Sequence, residues 1–224
     1  MQRENNFYDG KLQRKEKMNR KGLLNPRTKV AREAAVLLYT QQEKEYKQAK
    51  MRALKTLGLR ILPSNADVAR ELDEVAEETE GPTRRDLLVQ MRMEAIHVME
   101  PLQQFTPRLI GSVWRGTAHK GSDIDIVAFS IKSDAVIRQL QEEKFRIIEK
   151  KPISVLKNGV KNNSFHLYLL RPTGTQVEIV VRTPEEASRP EKCEIYGDIK
   201  TGLNYNQLQK VLEENPLRKF VPEK

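Results

Sequence analysis

The sequence has little of several things, and each shortage excludes a class of protein. Cys193 is the only cysteine among 224 residues, which excludes an internal disulfide framework and a cysteine-based zinc site. No stretch approaches the roughly 20 apolar residues of a membrane span, and no apolar signal-peptide core lies near the start. We therefore expect a cytoplasmic protein that is used as written, with no membrane segment.

Charge is abundant and unevenly distributed. Charged residues make up 32% of the chain and the formal net charge is +9, which favours a polyanionic partner or simply high solubility. Residues 1–30 hold nine Lys or Arg residues against three acidic ones, so most of the excess lies in an N-terminal arm. Contact of this arm with the phosphates of RNA or DNA and a merely solvated tail both remain open interpretations.

The first half of the chain has the composition of helices. Residues 28–57 lack Gly and Pro and predict one long helix that ends at Gly58. A second helix begins at Ser64 or Asn65 and ends at Gly81. A third covers residues 83–104, because its apolar positions recur every three and four residues. We therefore expect a flexible arm over 1–27 and a helical region over 28–104.

The apolar period then changes from helical to strand-like. "PRLIGS", "DIDIVAFS", "FRIIEKKPISVL", "SFHLYLLRP" and "TQVEIVVRT" predict strands, while "SDAVIRQLQEEK" predicts a helix. Residues 105–185 are thus predicted to form a mixed β-sheet flanked by helices, and residues 186–224 a C-terminal extension with one short helix. The fold class is α+β with an N-terminal helical extension.

Two carboxylates stand out in "GSVWRGTAHKGSDIDI". Along a β-strand, Asp123 and Asp125 point to one face while Ile124 and Ile126 point to the core. Two like charges held together need a cation, and no Lys or Arg alternates with them on the strand. Carboxylate oxygens and substrate phosphates are typical ligands of magnesium.

A third carboxylate is available on a later strand. In "QVEIVVR", Glu178 lies on the face opposite to Val177 and Ile179. If this strand lies beside the strand of the aspartates, Glu178 joins them and completes a site for two metal ions. An exposed glutamate on a half-buried strand is the competing interpretation.

The residues that precede the aspartates suit a phosphate. Gly111 allows close approach of the backbone, and the hydroxyl and amide of Ser112 can donate to phosphate oxygens. Arg115 and Thr117 add donors. His119 and Lys120 could assist or could be merely exposed, and we interpret Trp114 as a core aromatic and His166 as structural.

The stretch "GSVWRGTAHKGSDIDIVAF" resembles the signature of the polymerase-beta-type nucleotidyltransferase superfamily. In that superfamily a Gly-Ser turn contacts the triphosphate, an Asp-x-Asp pair binds two Mg²⁺ ions, and a later carboxylate completes the site. "GSVWRGT", "DIDI" and "ILPSNADVARELDEVAEE" are similar to the head of archaeal class I CCA-adding enzymes. The resemblance implies that the nucleotide is bound by Gly111, Ser112, Arg115 and Thr117. It implies that the catalytic residues, which also bind the metal, are Asp123, Asp125 and Glu178.

The resemblance implies transfer of a nucleoside monophosphate from an NTP, such as ATP, to an acceptor hydroxyl, with RNA or tRNA as one candidate acceptor. CCA-adding enzymes are much longer, so we do not expect templateless CCA addition. Two alternatives stay open: a non-catalytic or regulatory RNA-binding module with the same fold, and a minimal enzyme that modifies a protein or small molecule, as antitoxins do. The acceptor, the base, any protein partner and the oligomeric state are not specified.

Overall fold

A computed structural model describes residues 25–157 and 160–223 of the chain. The chain divides into two compact units, with the boundary between Val75 and Ala76. The basic arm predicted over 1–27 lies almost wholly outside the described residues.

The N-terminal unit is built from helices. It contains α1 (Pro26–Tyr39), α2 (Tyr46–Leu57) and the first part of α3 (Asn65–Glu80). Small apolar side chains let α1 and α2 pack closely: Ala34 on α1 and Ala49 and Ala53 on α2 are fully buried in one cluster. Gly58 ends α2 in the left-handed conformation, as predicted.

The prediction of one long helix over 28–57 is wrong, because residues 40–45 break it into α1 and α2. Gln41 adopts a left-handed conformation with φ 56°, and the Thr40 hydroxyl donates to the Val36 carbonyl at 2.8 Å. Good helix formers fill the whole stretch, but a straight helix would leave its two apolar faces unpaired. Tertiary packing between the two halves overrides local propensity here.

The second unit begins with the end of α3. The helix α4 (Pro82–Met99) and a 3₁₀ turn at Gln103–Phe105 follow. The predicted apolar stripe is confirmed, since its members are all buried: Leu88, Met91, Ala95, Val98, Met99 and Leu102. The helix ends five residues before the predicted Gln104. Pro101 explains the difference, because a proline cannot continue the hydrogen-bond ladder of a helix.

The rest of the second unit alternates strands with short helices. The elements are β1 (Arg108–Ile110), α5 (Gly111–Arg115), β2 (Ile124–Phe129), α6 (Ser133–Glu142), β3 (Ile147–Lys157), β4 (Val160–Leu170), β5 (Gln176–Arg182), a 3₁₀ turn (Pro184–Ser188), β6 (Leu203–Asn204) and α7 (Tyr205–Glu214). The strands form one six-stranded sheet in the order β3-β4-β5-β2-β1-β6. The α+β prediction is confirmed.

The sheet is mixed because β2 and β5 pair in parallel while the other neighbours pair antiparallel. One face of the sheet forms the core with α4, α6 and α7, and it carries the fully buried Ile124, Ile126, Leu167 and Ile179. Side chains alternate along a strand, so the residues between them line the opposite face.

The segment after residue 185 contributes to the sheet itself. Strand β6, which the sequence did not predict, pairs with β1 through Arg108 and Asn204. Asn204 then caps α7, its side chain accepting a hydrogen bond from the Gln207 amide at 2.9 Å. A two-residue strand gives no alternation pattern, which is why sequence reasoning overlooked it.

The central strand offers a test of the core. We expect Ile126→Ala to lower the free energy of unfolding by about 2–5 kcal/mol, because Ile126 is fully buried and its loss leaves a cavity. Ile131 is 82% exposed, so Ile131→Ala is the matched control and should change stability by less than about 0.5 kcal/mol. Urea denaturation measures both, and equal losses would contradict the described core.

Candidate active site

A tight turn connects β1 to β2 through α5. Gly111 has φ +71°, in the left-handed region that favours glycine. An added Cβ there would lie 2.8 Å from Cγ of Asp125. The turn and the strand of the aspartates therefore approach so closely that only a glycine fits between them.

The two aspartates lie where β2 begins. Asp123 is exposed just before the strand, and Asp125 is half-buried within it. Ile124 and Ile126 are fully buried on the other face. The alternation therefore turns both carboxylates away from the core.

Glu178 lies beside Asp125. The parallel pairing of β2 with β5 sets Asp125 opposite Glu178 and Ile126 opposite Ile179. Side chains at paired positions share a face, so Glu178 is on the same face as the aspartates. The sequence placed Glu178 with the aspartates only if the two strands were neighbours, and β2 and β5 are neighbours.

Two residues of β4 hold the Glu178 carboxylate. Nδ1 of His166 lies 2.6 Å from Oε1 of Glu178, and Nε2 of the same ring lies 2.9 Å from the Ser164 hydroxyl. The Tyr168 hydroxyl also bonds to Glu178, and this bond, more than burial, raises the pKa of Tyr168 to about 12. Glu178 is thus turned toward β4.

This orientation affects metal binding. Within the described part of the chain, no three His, Cys, Asp or Glu side chains form a group that could hold a metal ion as they stand. Asp123 and Asp125 remain the adjacent pair at the start of β2. Oε1 of Glu178 is bound by His166, so a metal contact with that oxygen would require the His166 contact to break.

The three carboxylates repel one another. Burial, then Asp123 and Glu178, raise the pKa of Asp125 to about 8, and Lys200 only partly opposes this shift. Although Asp123 is exposed as a whole residue, partial burial of its carboxyl group and then the charge of Glu178 raise its pKa too. A site that disfavours its own negative charge in this way suits a hard divalent cation with oxygen ligands.

The Arg115 side chain is bound to distant parts of the chain. Its side chain is buried and forms two bonds to Asp198, at 2.8 and 2.7 Å, and one to the Phe220 carbonyl at 2.7 Å. It also stacks on the Trp114 ring at 4.0 Å. The donors that the sequence interpretation assigned to a nucleotide are engaged by the protein itself.

The other residues of the turn are placed differently. Ser112 and Thr117 are half-buried, and the Thr117 amide donates to the Ser112 carbonyl at 3.0 Å. Trp114 is buried in the core, as interpreted from the sequence. His119 is half-buried, with its pKa lowered by burial, and Lys120 is exposed.

Sequence reasoning gave no site role to Tyr168 or Lys200, and it interpreted His166 only as structural. The alternation of β4 was a usable signal, because Leu167 and Leu169 face the core and so place His166 and Tyr168 on the face of Glu178. No signal marked Lys200. It lies in an irregular segment and is bound to Glu191 at 3.0 Å.

Residues 106–199 match the model of a family described as the nucleotidyltransferase domain. This segment, which is under half of the chain, is thus similar to a nucleotidyltransferase domain. The superfamily resemblance is thereby confirmed for the stretch that holds the turn, the aspartates and Glu178. The finer likeness to archaeal CCA-adding enzymes stays a prediction.

Solved structures give distant likenesses. The chain is similar to a cytoplasmic RNA terminal U-transferase at 20% identity and TM-score 0.30, over 42% of this chain and 28% of that one. It is similar to Cid1 in complex with the UTP analogue UMPNPP at 16% identity and TM-score 0.31, over 50% and 36%. The aligned part spans about a third of those chains.

The chain matches none of the curated proteins. Among the described residues, no helix combines the length and hydropathy of a membrane span.

Gly111→Ala tests the close approach of the turn to Asp125. Gly174 also has a positive φ, +88°, but an added Cβ would meet nothing within 4 Å. We expect Gly174→Ala to cost about 1–2 kcal/mol for its backbone conformation. Gly111→Ala should cost about 1–3 kcal/mol more, because Asp125 must move. Equal losses in urea denaturation would count against the described contact.

The raised pKa of Asp125 predicts a pH-dependent stability. The folded protein keeps a proton on Asp125 up to about pH 8, whereas the ordinary value is 3.8. The folded state therefore binds more protons than the unfolded state in that window, and stability from this group falls as pH rises. In metal-free buffer, Asp125→Asn should raise the melting temperature more at pH 8 than at pH 5. The same difference at both pH values would contradict the shift.

Proposed function

We propose that this protein is a metal-dependent enzyme that transfers a nucleoside monophosphate from an NTP to an acceptor hydroxyl. The observation that carries the proposal is the close fit of the Gly111 turn against Asp125, inside a segment that matches the nucleotidyltransferase domain. A turn able to meet phosphate thus lies directly over a carboxylate pair that needs a cation.

Magnesium is the proposed cofactor, bound by Asp123 and Asp125, with Glu178 as a third ligand after it leaves His166. The carboxylate donors and their raised pKa values fit a hard cation. Two such ions would supply charge stabilisation to the attacking and leaving oxygens of an in-line displacement.

The nucleotide site is proposed around Gly111, Ser112 and Thr117. Gly111 gives the backbone access to phosphate oxygens, and the hydroxyls of Ser112 and Thr117 can donate to them. We assign Arg115 a supporting role, because its guanidinium is bound to Asp198 and Phe220. It therefore holds the turn in place by linking it to these two residues.

The reaction proposed at this site is an in-line displacement at the α-phosphorus of the NTP. An acceptor oxygen forms a bond to the α-phosphorus, the bond between the α- and β-phosphates breaks, and pyrophosphate leaves. Glu178 lies at the same face and is the candidate to take the acceptor proton. Its contact with His166 at 2.6 Å fixes its orientation before substrate binds.

RNA is the proposed acceptor, and the proposed location of the protein is the cytoplasm. The support is the net charge of +9 and the nine Lys or Arg residues among residues 1–30, which suit contact with phosphates. The RNA-binding module without catalysis and the enzyme that modifies a protein or small molecule remain the alternatives. Titration of the protein with magnesium and NTP distinguishes the binding module from an enzyme, because the enzyme should show metal-dependent nucleotide binding and the module should not.

Asparagine substitutions test the chemistry. Asp123→Asn and Asp125→Asn should each lower transfer of label from an NTP to total RNA by at least about 10²-fold, since the cation supplies several kcal/mol of charge stabilisation. Asp134→Asn, at an exposed aspartate of α6, is the matched control and should keep native activity. Labelling that is equal in all three variants would contradict the mechanism.

A further inference from the structure

The nucleotide turn, which we define as residues 111–118, accepts hydrogen bonds through its backbone carbonyl groups. Two buried arginines of α4 reach it. Arg84 donates to the carbonyls of Ala118 and Thr117 at 2.9 and 3.0 Å. Arg92 donates to those of Val113 and Trp114, both at 3.1 Å.

Arg92 also binds the C-terminal strap, which we define as residues 216–220. It donates to the carbonyls of Pro216 and Arg218 at 2.7 and 2.8 Å. The amide of Phe220 completes the contact by donating to the Arg115 carbonyl at 3.0 Å. A planar guanidinium can serve four carbonyls at fixed angles, which a lysine ammonium cannot do.

The charge of Arg92 is not neutralised by a carboxylate, unlike that of its two neighbours. Arg84 pairs with Glu77 at 3.3 Å and Arg115 with Asp198 at 2.7 Å. In the described residues, the hydrogen bonds of the Arg92 guanidinium all go to backbone carbonyl oxygens. It is fully buried, and burial lowers its pKa to about 10, so it stays charged at neutral pH.

The direction of these bonds matters for the turn. Along a helical turn the carbonyls point one way and the amides the other, so holding the carbonyls of α5 fixes where its amides point. The first amides of α5 and the Ser112 side chain lie at the end nearest Gly111 and Asp125. A positive charge at the carbonyl end also stabilises the helical turn.

From this arrangement we infer that Arg92 is a positioning residue for the triphosphate, acting through the backbone of the nucleotide turn. The inference rests on the proposed nucleotide site. Arg92 touches no substrate; it fixes the turn and places an unneutralised positive charge behind it. The chemistry recognised is a polyphosphate anion.

The test measures binding of magnesium triphosphate and of magnesium ATP to the full chain by titration calorimetry. We expect Arg92→Lys and Arg92→Gln to weaken binding by about 10- to 100-fold, as the loss of an outer supporting contact does elsewhere. The stoichiometry should stay at the native value. A purely structural role would instead lower the stoichiometry, which reports the folded fraction, and leave the dissociation constant unchanged.

Val98→Ala is the control for general destabilisation. Val98 is fully buried on the same helix and donates no bond to the turn, so this variant should lose stability and keep native affinity. The inference is overturned if the Arg92 variants bind as the native protein does, if only their stoichiometry falls, or if Val98→Ala weakens binding equally. If the native protein binds neither ligand, the proposed function fails, and the inference with it.

Discussion

The repulsion among three carboxylates on one sheet face is the constraint around which the site is organised. Asp125 lies between Asp123, two residues before it and just ahead of the strand, and Glu178, its partner across the parallel pair. Burial and these neighbours raise its pKa to about 8. A protein keeps such an arrangement where a cation or a proton relieves it, which is typical of functional sites.

The surrounding residues limit how the repulsion among the carboxylates can be relieved. His166 and Tyr168 bind Glu178 from β4, and Lys200 acts on Asp125 from the irregular segment before β6. Behind the turn, buried arginines hold the carbonyls while Gly111 lets the backbone reach Asp125. These contacts fix the neighbours of the aspartates, and our proposal places the cation and the triphosphate on the side that remains.

Local patterns were sufficient to predict much of this. The alternation of "DIDIVAF" placed Asp123 and Asp125 on one face, and the apolar stripe of α4 identified the core. Contacts between distant segments were not predictable. Arg115 pairs with Asp198, 83 positions away, so a residue with free-looking donors proved to be engaged. The break between α1 and α2 also depends on packing that no local propensity encodes.

We propose that Asp123 and Asp125 hold the cation that meets the triphosphate. The most direct measurement is anomalous diffraction from a crystal grown with Mn²⁺ and a non-hydrolysable NTP. We expect an anomalous peak in contact with both aspartate carboxylates, with phosphate density against Gly111 and Ser112. A manganese peak or a nucleotide bound elsewhere, with the aspartates uninvolved, would contradict it.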